Sequence, residues 1–281
     1  MQTENEIKEM VRQKYSDIAL QDKDTNAASC CGAGGCSTEV YNIMSEDYEP
    51  LDGYTKDADL GLGCGLPTVF AKIKEGDTVI DLGSGAGNDC FIARAETGPT
   101  GKVIGVDFTP AMIDKARENA DKMGYNNVEF RQGDIEKMPV GGNMANVVVS
   151  NCVLNLVPNK KAVFAEIFRV LKPGGHFSIS DIVLTDVLPQ KLQTTAEMYA
   201  GCVAGAIQME AYLDLIKEAG FQNIIVQKNK PIIIPDDILV NYLNDDEITE
   251  YQSKETAIRS ITVYAEKGEK AMACTPGGGC C

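Results

Sequence analysis

Two groups of residues in this chain have types and spacings that could do chemistry. The first is Val79-Ile80-Asp81-Leu82-Gly83-Ser84-Gly85-Ala86-Gly87-Asn88-Asp89. An apolar run that ends in an acid and a glycine turn, and then opens a helix, is a ligand-gripping unit of open α/β sheets. Glycine lets backbone approach a ligand where a Cβ would collide. The spacing Gly83-x-Gly85-x-Gly87 is not the G-x-G-x-x-G of dinucleotide sites, and no Gly-Lys-Ser or Gly-Lys-Thr follows, which excludes a P-loop. The second group is sulfur. There are ten cysteines (Cys30, Cys31, Cys36, Cys64, Cys90, Cys152, Cys202, Cys274, Cys280 and Cys281) against one histidine, His176. In a reducing compartment such a set points to metal binding or redox chemistry before structural disulfides. The single histidine argues against a His-based catalytic centre or a Cys2His2 zinc site.

The cysteines differ in setting. Cys30-Cys31-Gly32-Ala33-Gly34-Gly35-Cys36 is nearly echoed by Cys274-Thr275-Pro276-Gly277-Gly278-Gly279-Cys280-Cys281. Each segment carries an adjacent thiol pair on a glycine-rich arm. Neither contains C-x-x-C, the spacing of a zinc ribbon. Accidental cysteine on a disordered tail is the plain alternative. Gly61-Leu62-Gly63-Cys64-Gly65-Leu66-Pro67 is a second glycine turn, and a cysteine between glycines is expected to be an exposed thiol. Cys90 is expected in the core, facing in from the first helix of the main domain.

The elements that must position these groups alternate. Strands are expected at Thr78–Asp81, Lys102–Val106, Val128–Arg131, Ala145–Ser150 and Phe177–Val183. Helices fall between them at Asn88–Ala95, from Pro110 (capped by Thr109) to about Lys122, and at Asn159–Leu171, with Lys172-Pro173-Gly174-Gly175 as a turn. Repeated β-α-β units require a parallel sheet covered on both faces. Thr3 and Glu6 form a capping box for an amphipathic helix over residues 4–20. After strand five, helices are expected at Gln190–Ala200 and Gln208–Ala219, strands at Phe221–Gln227 and Ile261–Ala265, and an acidic inserted helical piece around Pro235–Ser260.

Composition narrows the function. The formal net charge of -15 comes from 41 acidic and 26 basic residues, and it repels phosphate backbones. No nucleic-acid partner is expected. The N-terminus lacks an apolar signal core, and no apolar stretch reaches the roughly 18 residues that span a bilayer. A cytoplasmic monomer without membrane contact is the expectation.

The pattern D-x-G-x-G-x-G resembles motif I of class I S-adenosylmethionine (SAM) methyltransferases. The resemblance implies that Asp81, Gly83, Ser84, Gly85, Gly87 and Asn88 cradle the amino-acid part of SAM. Asp107, ending strand two about 20 residues after the turn, is placed to accept both ribose hydroxyls. Asp134, ending strand three, resembles the family's adenine-edge acid, with Ile135 beside the ring; a turn-capping role is its alternative. Asn151 would line the same pocket. Open α/β sheets bind ligands where the strand order reverses, which here lies between strands one and four. Cys152 follows strand four and should sit near the methyl donor, unless it is apolar filler. Neither an Asn-Pro-Pro-Tyr nor a Pro-Cys motif is present. Methyl transfer from a sulfonium needs in-line positioning more than acid–base help. Thiols without histidine suit a soft, thiophilic acceptor.

Gly61-Leu62-Gly63-Cys64-Gly65, the glycine loop with Asn88-Asp89, Ser150-Asn151-Cys152-Val153-Leu154-Asn155 and Met198-Tyr199-Ala200-Gly201-Cys202 together resemble the arsenite methyltransferases, over about Cys36 to Lys267. The family's cysteines match Cys36, Cys64, Cys152 and Cys202. The resemblance implies a Rossmann-like, mostly parallel seven-stranded sheet with an N-terminal extension and arsenic-binding cap segments. The expected division is an N-terminal helix and Cys-rich segment (1–66), a SAM-binding core (67–184), arsenic-binding helices with the last strands (185–267), and a Cys-rich tail (268–281). It further implies that Cys152 and Cys202 hold As(III) with Cys64 as third ligand or partner, and that the arsenic lone pair takes the SAM methyl, detoxifying arsenite or its thiol adducts. Cys36 and Cys64 would pair as a disulfide, reset by thioredoxin or glutathione. The outer pairs Cys30-Cys31 and Cys280-Cys281 would capture arsenic and pass it inward. The competing readings are a SAM methyltransferase of a small organic acceptor and a thiol protein that binds metalloid without turnover.

Overall fold

A computed structural model describes residues 3–20, 46–189, 191–192, 205–253 and 257–269. The expected cysteines Cys30, Cys31, Cys36, Cys202, Cys274, Cys280 and Cys281, and nearly all of the helix expected at Gln190–Ala200, lie outside the described residues.

The apolar runs expected as strands form one seven-stranded sheet. Its strands are β1 (Thr78–Leu82), β2 (Lys102–Asp107), β3 (Val128–Gln132), β4 (Ala145–Asn151), β5 (Leu171–Leu184), β6 (Gln222–Pro231) and β7 (Ile258–Glu266), in the order β3-β2-β1-β4-β5-β7-β6. β1 to β5 pair in parallel, whereas β7 runs antiparallel between β5 and β6. This is the mostly parallel seven-stranded sheet that the resemblance to class I SAM methyltransferases implied.

Alternation along the strands separates two cores. Val79, Val103, Val147 and Val149 face one way and pack with Phe91, Met112, Ile113 and Phe130. These come from α3 (Asn88–Thr97), α4 (Pro110–Met123) and β3. Ile80, Ile104 and Val148 face the other way, onto Val163, Phe164 and Ile167 of α5 (Lys160–Val170) and Tyr212 and Ile216 of α6 (Met209–Glu218). Phe164 meets Tyr212 edge-on at 5.5 Å, joining α5 to α6, and Phe177 of β5 takes Phe164 at 6.1 Å and Phe221, just after α6, at 4.8 Å.

A third cluster caps the carboxyl ends of the strands. It joins Cys64, Cys152, Leu156 and Ile182 to Val11 of α1 (Glu4–Ala19) and to Ile232, Leu239 and Leu243 around α7 (Asp236–Leu239). The capping box forms at Thr3 and Glu6. The helical insertion consists of α7 and α8 (Asp245–Ser253), whereas α2 (Pro67–Phe70) follows the Cys64 turn. Among the described residues no helix is long and apolar enough to cross a membrane.

The segment Lys172–Gly175 departs from a simple helix-to-strand turn. Leu171, expected to end α5, already pairs with Ala145, and His176 pairs with Val147, so the turn bulges out inside β5. Gly174 adopts φ +79°, and its N–H donates to Lys267 O at 2.8 Å, so contact with the end of β7 holds the bulge in the sheet.

Candidate active site

β1 and β4 are neighbours, yet their chains lead to opposite halves of the sheet. Their carboxyl ends therefore open a cleft of about 1050 Å³, open solvent at its mouth included. Leu82 pairs with Ser150, so Gly83 and Asn151 emerge side by side. Gly83 adopts φ +65°, and a Cβ there would lie 2.4 Å from Val153, so only glycine permits this turn. The loop is held below by Gly83 N–H and Ser84 N–H, which donate to Val106 O at 2.7 and 3.1 Å.

Asp107 organises the next wall. Its Oδ2 accepts from Gly85 N–H at 3.0 Å and its Oδ1 from Thr109 N–H at 2.8 Å. Burial raises its pKa, and these backbone donors oppose the rise. Asp81, Ser84, Gly85, Asn88, Asp134, Ile135, Asn151 and Cys152 share the same cleft. Gly87 does not. A Cβ on it would meet the rings of Phe91 and Phe130 at 2.8 and 2.9 Å, so it serves the packing of α3 behind the loop. Asp134 has two partners already: Oδ1 caps the turn at Glu136 N–H (2.9 Å), and Oδ2 takes Lys8 Nζ of α1 (2.7 Å).

The cleft is strongly acidic at depth. Asp81 is 2% exposed, and burial and then the charge of Asp89 push its pKa well up, against the Cys90 thiol that donates to it at 3.2 Å. Burial moves Asp89 to about 6, although Asn151 and Tyr48 donate to it. Among the described residues, Ser84 Oγ, Asn88 Oδ1 and Asp89 Oδ1 are buried with no hydrogen-bond partner. Thr109 makes no side-chain cap on α4, contrary to its sequence pattern. Costly buried carboxylates beside unsatisfied polar atoms fit a ligand that is cationic at one end and rich in hydroxyls and nitrogens. SAM has that chemistry.

One thiol, Cys152, borders this cleft. Cys152 adopts φ +60°, is 3% exposed, and donates its N–H to Ser180 O at 2.8 Å. Cys64 corrects the expectation of an exposed thiol: it is 1% exposed and packs in the same apolar cluster as Cys152. The flanking glycines bury it by letting the loop press onto the sheet. A Cβ on Gly65 would lie 2.5 Å from Ser180 Oγ, and one on Gly63 would lie 2.7 Å from Asn151 Nδ2. Cys64, Cys90 and Cys152 are all thiols, and Cys90 is in the core as expected. Among the described residues no group of three His, Cys, Asp or Glu side chains could hold a metal ion; Cys202 lies outside them.

Residues 73–220 match a family model described as a methyltransferase domain. An arsenite methyltransferase from Aquipseudomonas alcaligenes is 31% identical over 84% of this chain and 68% of the relative. The chain belongs to the arsenite methyltransferase family. A Halobacterium salinarum member of that family is 47% identical over 78% of this chain, which spans 58% of that relative's length. The crystal structure of an arsenic(III) S-adenosylmethionine methyltransferase from Chlamydomonas reinhardtii superposes with a TM-score of 0.60 at 31% identity, covering 81% of this chain and 72% of that one.

Within this family fold, several cleft residues escaped the sequence reading. Lys8, Val11 and Tyr15 recur at helical spacing and turn one face of α1 to the cleft. Asp59 is 5% exposed and accepts from Gly61 N–H at 2.9 Å. Tyr48 is buried against Asn151 and Asp89. The helical spacing of α1 was a usable signal, whereas Asp59 and Tyr48 sit in irregular chain with no periodicity to mark them.

Proposed function

We propose that this chain transfers the methyl group of SAM to trivalent arsenic held by cysteine thiolates. The observation that carries the reading is the shared wall. Cys152 lines the cleft that also presents Asp81, Gly85 and Asp107, and Cys64 is buried beside it in one apolar cluster. Asp107, already fixed by two backbone donors, keeps lone pairs for ribose hydroxyls. Asp81 and Asp89 would face the ammonium end, and ion pairing there would offset their burial. Bound SAM supplies an electrophilic methyl group on a positively charged sulfur.

Cys64, Cys152 and Cys202 would hold arsenite, or take it from a thiol adduct by exchange. Their sulfurs are soft donors for a soft acceptor, and the apolar cluster around Cys64 and Cys152 keeps water away. The arsenic lone pair forms the As–C bond as the S–C bond breaks, with no base required. Cys36 and Cys64 would then give up two electrons as a disulfide, which returns the methylated arsenic to the trivalent state. Thioredoxin or glutathione would restore both thiols. The outer cysteine pairs would gather arsenic for this site.

The test is Cys152→Ser. S-adenosylhomocysteine release that depends on arsenite should fall at least about a hundredfold, while SAM binding stays within about threefold. A variant that turns over arsenite at the wild-type rate would show that Cys152 is not a ligand.

A further inference from the structure

We infer that Asn151 is a positioning residue. Its carboxamide, braced by Tyr48, clamps the Cys64 loop and sets where that thiol stands relative to Cys152. The inference rests on the reading that Cys64 and Cys152 hold the acceptor.

The clamp has two jaws on consecutive residues. Asn151 Oδ1 accepts from Cys64 N–H at 3.0 Å, and Asn151 Nδ2 donates to Gly65 O at 2.8 Å. One amide therefore fixes the backbone on both sides of the Cys64 side chain, each of its polar atoms meeting its complement. Tyr48 is the brace. Its hydroxyl touches Asn151 Nδ2 and donates at 3.1 Å to Gly65 O or to Asp89 Oδ2. Asn151 Nδ2 also reaches Asp89 Oδ2 at 3.2 Å. From the opposite side, Ser260 Oγ donates to Cys64 O at 2.6 Å. Side chains from separate strands thus take both backbone polar groups of Cys64.

Asn151 is also the last residue of β4, one peptide bond before Cys152. The path from one thiol to the other runs through a single amide and a single peptide bond, both anchored in the sheet. Two thiols bind one atom tightly only if their spacing is set beforehand, because ordering them at the moment of binding weakens the chelate. Gly63 is part of the fit, since a Cβ there would lie 2.9 Å from Tyr48 Oη as well as against the amide. Asn151 does line the cleft, where the sequence reading put it as a cofactor contact. Its polar atoms, however, are turned onto the Cys64 loop.

The test compares two affinities in the full chain with reduced thiols. Arsenite binding is read by equilibrium dialysis with arsenic detection, and SAM binding by calorimetry. The proteins are wild type, Asn151→Ala, Tyr48→Phe and Cys152→Ser. Asn151→Ala should bind arsenite about tenfold or more weaker, equivalent to about 1.4 kcal/mol, and SAM weaker by a smaller factor, because Asp89 loses one of its two side-chain donors and keeps Tyr48. Tyr48→Phe, which keeps the buried ring, should shift arsenite affinity the same way by less. A general folding lesion would lower both affinities together, so the split is diagnostic. Unchanged arsenite affinity in both variants, or a loss of SAM affinity as large as the loss for arsenite, overturns the clamp. A Cys152→Ser protein that binds arsenite like wild type overturns instead the thiol reading beneath it.

Discussion

Replacing Gly65 by Ala tests how the thiol loop is seated. The new Cβ would lie 2.5 Å from Ser180 Oγ and 2.6 Å from Ser180 Cβ. Carbon atoms in contact prefer about 3.5–4.0 Å, so roughly 1 Å of overlap must be relieved. Ser180 cannot retreat. It is paired with Asn151 on one side and Thr262 on the other, and its hydroxyl shares a 2.8 Å bond with Thr262 Oγ1. The loop must lift instead, which strains the 3.0 Å bond from Cys64 N–H to Asn151 and the 2.6 Å bond from Ser260 to Cys64 O. Overpacking of this kind costs about 1–3 kcal/mol. We expect Gly65→Ala to lose that much stability in urea unfolding and about tenfold in arsenite turnover. Adding Ser180→Gly removes the obstruction, at about 0.5–1 kcal/mol for glycine in a strand. The double variant should therefore be more active than Gly65→Ala alone, with a coupling of about 1–2 kcal/mol. Strictly additive losses, or a Gly65→Ala protein with wild-type stability and turnover, would refute the seating argument.

Asp107→Asn replaces one of two carboxylate oxygens by a donor that must face a backbone N–H. Losing a charged hydrogen bond costs about 1.5–3 kcal/mol, so SAM should bind about ten- to a hundredfold weaker by calorimetry; affinity within about threefold of wild type would remove Asp107 from the ribose site. Asp89 titrates near 6, above its ordinary 3.8, because burial disfavours its charge. Between those values the folded state keeps a proton that the unfolded chain has lost, so its contribution to stability falls as pH rises from about 4 to about 6. A cationic ligand needs the ionised form, so SAM affinity should increase from pH 5 to pH 7, and the increase should flatten in Asp89→Asn. An affinity that is level across this range in the wild type would contradict the pairing.

The sheet was legible because its strands are buried on both faces and read as near-continuous apolar runs, as Val79 to Leu82 and Val147 to Ser150 do. The glycine turn then located the cleft, and strand order placed Asn151 and Cys152 beside it. What escaped was set by contacts between distant parts of the chain. Cys64 reads as an exposed turn residue until Gly65 meets Ser180 and Gly63 meets Asn151, and no local pattern encodes those meetings. Tyr48 and Asp59 lie in irregular chain and gain meaning only from Asp89 and the Cys64 loop. The orientation of Asn151 was hidden for the same reason, because an asparagine after a strand serves a ligand or a loop equally well. Lys172–Gly175 reads as a turn, and only pairing on both sides of it, with β4 and with the end of β7, turns it into a bulge.

The most direct measurement is arsenic speciation. Purified protein is incubated with arsenite, SAM and a dithiol reductant, and the arsenic species are separated by chromatography with arsenic detection. Methylated arsenic that appears with SAM, and vanishes in Cys152→Ser, is the predicted result. Arsenite recovered unmethylated while SAM remains bound in the cleft would contradict the account and leave the buried thiols as binders without turnover.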